Sequence, residues 1–180
     1  MTTAEYLATP ESLLPQELAF GVWRVAESPT PRHQEVVLHL LLALHEHLQT
    51  HRVGTVWLSP LDVILDDERA LVVQPDLFVI SNEREHILTD RVHGAPDLVV
   101  EVLSPQPRVG DINERIQWFA QYDVRECWLV HQIERWIDVL TFEDGRTAMR
   151  RRFTPNERIE SGVLPAFDRS LREMLGYSMR

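Results

Sequence analysis

The sequence contains one cysteine, Cys127, and no lysine, so all 18 of its basic residues are arginine. A single cysteine cannot form an intrachain disulfide, and it cannot supply a zinc site built from several thiolates. Because lysine is absent, no lysine amine is available anywhere in the chain for a catalytic role. Any role that needs a permanent positive charge therefore falls to arginine.

Basic residues are also outnumbered, since 28 acidic residues give a formal net charge of −10. This balance argues against a general nucleic-acid coat protein, because such proteins are usually basic. It does not argue against an enzyme that approaches phosphate through a bound cation.

Long apolar runs are missing as well. The longest, residues 36–44, is interrupted by His39 and is too short to span a bilayer. The first residues, MTTAEYLATPESLL, have no basic region ahead of an apolar one, so we expect no signal peptide. The expectation is a cytoplasmic protein without a membrane partner.

The residues that are present suit one globular domain. The chain has 180 residues, 44 % of them apolar and 26 % charged, which is enough for one hydrophobic core. No repeat or linker divides the sequence. We expect a single domain over residues 1–180, of α/β or α+β class.

Two helices carry the clearest periodic signals. The first lies in HQEVVLHLLLALHEHLQTH, and the second lies in GDINERIQWFAQYDV, with Asp111 as its N-cap and Glu114 completing a capping box. The apolar residues on one face of the first helix are Val37, Leu40, Leu41, Leu44 and Leu48.

The strands fall before and after the second helix. ELAFGVWRVAE has strand-like content around Gly21, and two longer runs, GTVWLSPLDVIL and ALVVQPDLFVI, are interrupted by Pro60 and Pro75. PDLVVEVLS and ECWLVH are further strands. A hairpin that turns at Asp144-Gly145 follows, and LPAFDRSLREMLG predicts a closing helix.

Two acidic residues lie inside the apolar strands. Asp76 follows Pro75 in VVQPDLFVI, and Glu101 lies in the middle of PDLVVEVLS. A buried carboxylate costs free energy unless it is paired, protonated or bound to a metal. Two carboxylates that converge from adjacent strands repel each other without a cation between them, and Mg²⁺ is the usual solution.

Asp97 is a third candidate, since its even spacing from Glu101 places both on one face of the strand. At about 3.3 Å per residue their Cα atoms lie roughly 13 Å apart, too far for both to hold one ion. Asp97 is therefore better explained as a residue that caps the start of the strand, or as one that supports the metal ligands without binding the ion. For Asp76 and Glu101 the alternative is an acid that is solvated or paired with an arginine.

The stretches VVQPDLFVIS and GAPDLVVEVLSP, with D-x-x-x-R and QYDVRECWLV after them, resemble the Uma family of restriction-endonuclease-like proteins. That family belongs to the PD-(D/E)xK nuclease superfamily. The resemblance covers nearly the whole chain. It implies a restriction-endonuclease-like core, with a central mixed β-sheet flanked by helices and an additional C-terminal hairpin.

The resemblance also implies a function. Asp76 and Glu101 would bind Mg²⁺ or Mn²⁺, as one or two ions, in an endonuclease that hydrolyses DNA phosphodiester bonds. Enzymes of this superfamily often act as dimers, so a homodimer is expected on the same ground.

The sequence departs from the superfamily pattern at one catalytic position. The expected lysine, two residues after Glu101, is Leu103 here, and in this family the lysine moves to the following helix, where Arg115 stands. Arginine stabilises negative charge but cannot easily lose a proton. Arg115 also has a simpler interpretation, as the i+4 partner of Asp111 on a helix surface. His33 matches a family position and either approaches the site or makes a capping contact.

Two principal hypotheses follow. The leading one is a metal-dependent endonuclease in which Arg115 takes the place of the lysine. The alternative is a catalytically impaired nuclease fold that serves as a binding or assembly module, which the missing lysine and the net charge favour. A metal-dependent hydrolase of another phosphate ester is a third possibility.

Overall fold

The chain folds into helices and strands in a computed structural model that describes residues 1–10, 14–26, 28–103 and 112–176. The described α-helices are α1 (Thr3–Leu7), α2 (Pro31–His51), α3 (Ile112–Gln121) and α4 (Leu171–Leu175). The described strands are β1 (Gln16–Ala19), β2 (Val22–Val25), β3 (Gly54–Leu58), β4 (Val63–Asp66), β5 (Leu71–Val73), β6 (Leu77–Ser81), β7 (Val92–His93), β8 (Leu98–Leu103), β9 (Glu126–His131), β10 (Trp136–Glu143) and β11 (Arg146–Phe153).

The strands form two sheets. The central sheet has six strands in the order β11-β10-β9-β8-β6-β3, and the second sheet has five in the order β2-β1-β5-β4-β7. Within the central sheet only β8 and β9 run parallel, so it is mixed, as predicted. The predicted hairpin, β10 and β11, extends this sheet at one edge. The second sheet was not predicted.

Two prolines mark the points where the chain passes between the sheets. Each of the two runs predicted as one interrupted strand is split, so that β3 and β6 lie in the central sheet while β4 and β5 lie in the other. Proline has no N–H to donate to a ladder, and β3 ends at Leu58 and β5 at Val73, each two residues before its proline. Asp76 therefore stands where the chain enters the central sheet.

The central sheet is covered on both faces. Helices α2 and α4 pack on one face, against a cluster that includes Leu98, Val100 and Val102 of β8. Helix α3 and the five-stranded sheet pack on the other face, where Val99 lies. Strand residues alternate between faces, so Glu101 lies on the α3 side.

The predicted stripe of α2 is confirmed, because Val37, Leu40, Leu44 and Leu48 are buried and Leu41 is partly buried. Pro31 opens this helix, and Thr30 caps it by accepting from the backbone N–H of His33. No described helix is both long enough and apolar enough to cross a bilayer. The predicted N-cap of α3, Asp111, and its capping box lie outside the described residues.

We expect Gly54→Ala to destabilise the protein. A Cβ at position 54 would lie 2.4 Å from the backbone carbonyl oxygen of Ile80, where β3 and β6 pair. Relieving that overlap requires the backbones to move apart, at a cost of about 1–3 kcal/mol. Urea denaturation of both proteins measures the difference.

Gly162→Ala is the matched control, since a Cβ there meets its nearest atom, Glu126 Oε2, at an ordinary 3.6 Å. Its free energy of unfolding should stay within about 0.5 kcal/mol of the wild type. Equal losses in the two variants would contradict the close approach at Gly54.

Candidate functional site

The two predicted metal ligands come together at the meeting of β6 and β8. Leu77 pairs with Val100 in antiparallel register, so one further step along the ladder places Asp76 opposite Glu101. The Oδ2 atom of Asp76 accepts from the backbone N–H of Val102 at 2.7 Å. The PD stretch and the middle of the apolar strand therefore converge, as the sequence predicts.

Glu101 is paired with Arg115 of α3. The guanidinium donates to Glu101 Oε1 from Nε at 3.1 Å and from Nη2 at 2.5 Å. The two side chains are 12 % and 9 % exposed, so this is a nearly buried ion pair. Arg115 therefore points into the site, whatever contact it makes with Asp111, which lies outside the described residues.

Glu17 of β1 is a third acid of the site, and the sequence analysis missed it. Its Oε1 accepts from Arg115 Nη1 and, at 3.0 Å, from the backbone N–H of Gln74. The signal that could have found it was the one that found Glu101, an acid set between strand-forming residues, here in ELAF. What the sequence could not show is the arginine that reaches Glu17 from 98 positions away.

His33 approaches the same group from the first turn of α2. Its Nε2 lies 3.2 Å from Asp76 Oδ2, and its side chain is 11 % exposed. Burial lowers the pKa of His33, but the hydrogen bond to Asp76 and the charges of Asp76 and Glu101 outweigh burial and raise it. Thr30 caps the helix, which leaves the His33 side chain to contact the site.

Asp97 is not part of this group. Its side chain is fully buried, and its Oδ2 accepts from the backbone N–H of Ser81 at 2.7 Å. Its Oδ1 lies 3.2 Å from Arg125 Nη1. Asp97 thus joins the start of β8 to neighbouring segments, in agreement with the distance argument that separates it from Glu101.

Negative charge is in excess at the site. When ionised, Glu17, Asp76 and Glu101 carry two more negative charges than Arg115 neutralises, as long as His33 is neutral. Burial raises the pKa of Glu101 to about 7, the charges of Asp76 and Glu17 add to the rise, and Arg115 opposes it. The site therefore favours uptake of a positive species, either a proton or a cation.

Arg115 stays positively charged among these acidic side chains. Burial lowers its pKa, but the charges of Glu101 and Glu17 outweigh burial and hold it above its ordinary value. The guanidinium is consequently a permanent donor and positive charge, and it is not a group that exchanges protons.

These donors fit a hard divalent cation. Asp76 and Glu101 offer carboxylate oxygens, which Mg²⁺ and Mn²⁺ prefer, and Mg²⁺ commonly uses only one or two carboxylates together with water and substrate oxygens. Across the part of the chain that the structure describes, no three or more His, Cys, Asp or Glu side chains surround one metal position. The fit therefore rests on two carboxylates and the excess of charge.

Comparison with known proteins gives a family and a fold. The model of the family Uma2, described as "Putative restriction endonuclease", matches residues 3–172. A search of curated proteins finds no match. A crystal structure described as "a putative nuclease belonging to DUF820", from Anabaena variabilis, superimposes with a TM-score of 0.81 at 18 % identity and covers 97 % of each chain. This likeness confirms the predicted fold class.

We expect Glu101→Gln to gain stability relative to the wild type as pH rises, in protein freed of metal with EDTA. The pKa of Glu101 is about 7 in the folded protein, against an ordinary value of 4.5. Ionisation of Glu101 therefore costs folding free energy that grows as pH rises from 4.5 to about 7. Glutamine cannot ionise and escapes that cost.

Urea denaturation at several pH values across this window measures the difference between the two proteins. Glu114→Gln removes another acid, one that is 39 % exposed and pairs with Arg24, and so reports the general effect of losing a charge. A stability difference between Glu101→Gln and wild type that does not change with pH would refute the expectation.

Proposed function

The chain belongs to the Uma2 family, and we propose that it is an endonuclease that depends on Mg²⁺ or Mn²⁺ and hydrolyses DNA phosphodiester bonds. The observation that carries this proposal is the convergence of Asp76 and Glu101 in a nearly buried group where acidic side chains outnumber the one arginine. The crystal structure described as "a putative nuclease" supports it at the level of the fold.

In this proposal Asp76 and Glu101 hold the cation. Glu101 Oε1 accepts from Arg115, and Asp76 Oδ2 accepts from Val102 and contacts His33, so these contacts would hold both carboxylates in place for the cation. A bound divalent cation supplies charge neutralisation at phosphate and lowers the pKa of a coordinated water.

Arg115 and His33 supply what the carboxylates cannot. In the hydrolysis, a water oxygen would form a bond to phosphorus as one ester P–O bond breaks. The water would give up a proton to solvent, and the leaving ester oxygen would take one up. Arg115 stabilises the negative charge that develops on phosphate oxygens. His33 Nε2 lies 3.2 Å from Asp76 Oδ2, so His33 would hold that carboxylate in place.

The contacts of Arg115 also favour the alternative, a nuclease fold that binds without cleaving. Its guanidinium is held by two carboxylates, Glu17 and Glu101, and the chain has no lysine to act in its place. Cleavage requires that Arg115 still donate to substrate from this position, and a binding module would not need it to. The predicted homodimer and cytoplasmic location stay predictions in both cases.

We expect the wild type to bind Mn²⁺ and Glu101→Ala to lose about 100-fold or more in affinity, because one of two carboxylate ligands is gone. Isothermal titration at neutral pH measures both. Glu114→Ala, which removes an acid of α3 that pairs with Arg24 instead, is the control and should bind as the wild type does. Equal Mn²⁺ affinity of the wild type and Glu101→Ala would contradict the proposed metal site.

We expect the wild type to cleave DNA with Mn²⁺, Arg115→Ala to be slower by about 100- to 1,000-fold, and Arg115→Lys to retain cleavage. The reason is that the position supplies positive charge to the transition state, which lysine also supplies and alanine does not. The rates are measured from the nicking of supercoiled plasmid and from the cleavage of labelled single-stranded DNA.

The same assay separates the two hypotheses. Cleavage by Arg115→Lys that exceeds that of the wild type would indicate an impaired nuclease site. Absence of cleavage in both proteins, with DNA still retained in a gel-shift assay, would favour the binding module.

A further inference from the structure

We propose that Glu17 is a positioning residue, which fixes the guanidinium of Arg115 against Glu101 and so presents the remaining Arg115 N–H groups to substrate. The part that concerns substrate rests on the proposed nuclease function. The part that concerns Arg115 stands on the contacts themselves and is testable without any cleavage.

Glu17 is itself firmly held. It lies within β1, whose neighbours are β2 on one side and β5 on the other, and its side chain is 8 % exposed. The backbone N–H of Gln74 donates to Glu17 Oε1 at 3.0 Å, and the Gln74 side chain accepts from Gln16 N and donates to Asp62. The oxygen that receives Arg115 is therefore fixed by the five-stranded sheet.

Glu101 fixes the orientation of Arg115 less completely than two acceptors do. Both of the Arg115 atoms that reach Glu101, Nε and Nη2, donate to the same oxygen, Oε1. A planar group held at one acceptor can rotate about it, whereas a second acceptor on Nη1 sets its orientation. Contacts with the described residues use three of the five N–H donors of Arg115, and among those residues two donors remain, one on each terminal nitrogen.

Glu17 also sets the charge that Arg115 shows to its surroundings. Without Glu17, the whole positive charge of Arg115 would act on Glu101 and Asp76 and would oppose a cation there. With Glu17 present, that charge is shared between two carboxylates. Glu17 Oε1 receives both Arg115 and Gln74, so this oxygen serves to hold the guanidinium.

The first test follows Arg115 directly by nitrogen-15 NMR of its side-chain Nε–H, a signal assigned by its absence in Arg115→Lys. In the wild type this proton is buried and bonded, so it should exchange slowly with water. In Glu17→Gln we expect a shifted signal and exchange faster by about tenfold or more. Glu114→Gln, which removes the acid next to Arg115 in sequence, should leave the signal unchanged.

The second test uses the DNA-cleavage kinetics. Misorientation of Arg115 should lower kcat of Glu17→Gln by about 100-fold and leave KM within about twofold, because the contact acts in the transition state. Glu17→Asp keeps the charge but withdraws the oxygens by one methylene, and it should fall between wild type and Glu17→Gln in both tests. It also replaces Glu17→Gln if that variant does not fold.

The outcomes separate this inference from the proposed function. An unchanged Arg115 Nε–H signal in Glu17→Gln overturns the positioning role, and so does a change confined to KM. A wild type that cuts no DNA overturns the nuclease proposal, while the NMR comparison still decides the role of Glu17.

Discussion

A buried guanidinium between two carboxylates is the interaction on which the site depends. Arg115 is almost fully buried. An unpaired buried charge costs several kcal/mol of stability, about the loss that follows removal of one partner of a buried ion pair. Glu17 and Glu101 lie in different sheets, and both offset that cost by pairing with Arg115 of α3. One side chain thus fixes the relative places of β1, β8 and α3.

The path of the chain makes this meeting possible. Glu17 belongs to the five-stranded sheet and Glu101 to the six-stranded one, so the two sheets have to pack with these strands facing α3. The crossings at Pro60 and Pro75 divide two apolar runs between the sheets. Asp76 directly follows Pro75, so the second crossing also places this acid at the site.

Local patterns in the sequence predicted local structure well. The apolar spacing of α2, the strand around Glu101 and the turn at Asp144-Gly145 all appear, and both turn residues have the positive φ angles that a two-residue hairpin turn requires. Helix α4 is shorter than predicted, because only Leu171–Leu175 of the closing segment is helical.

The features that sequence reasoning missed depend on contacts between distant segments. The five-stranded sheet is built from strands of two to four residues, too short to give a periodic signal. Asp76 and Glu101 could be found because each stands out against apolar neighbours. Glu17 shares that property, but its significance depends on Arg115, and no spacing in the sequence relates the two.

An arginine at position 115, where the resemblance implies a lysine, explains why Glu17 and Glu101 are both needed. A lysine ammonium is a point charge that suits one carboxylate and can give up its proton, whereas a guanidinium spans two acceptors and keeps its charge. An arginine here therefore needs a second acid to define its direction, and Glu17 supplies it. Arginine does not give up its proton, so in the proposed hydrolysis the proton of the attacking water would pass to another group or to solvent. In the proposed endonuclease, an arginine at this position would provide the positive charge without a proton to transfer, and the carboxylates that would bind the cation stay in place.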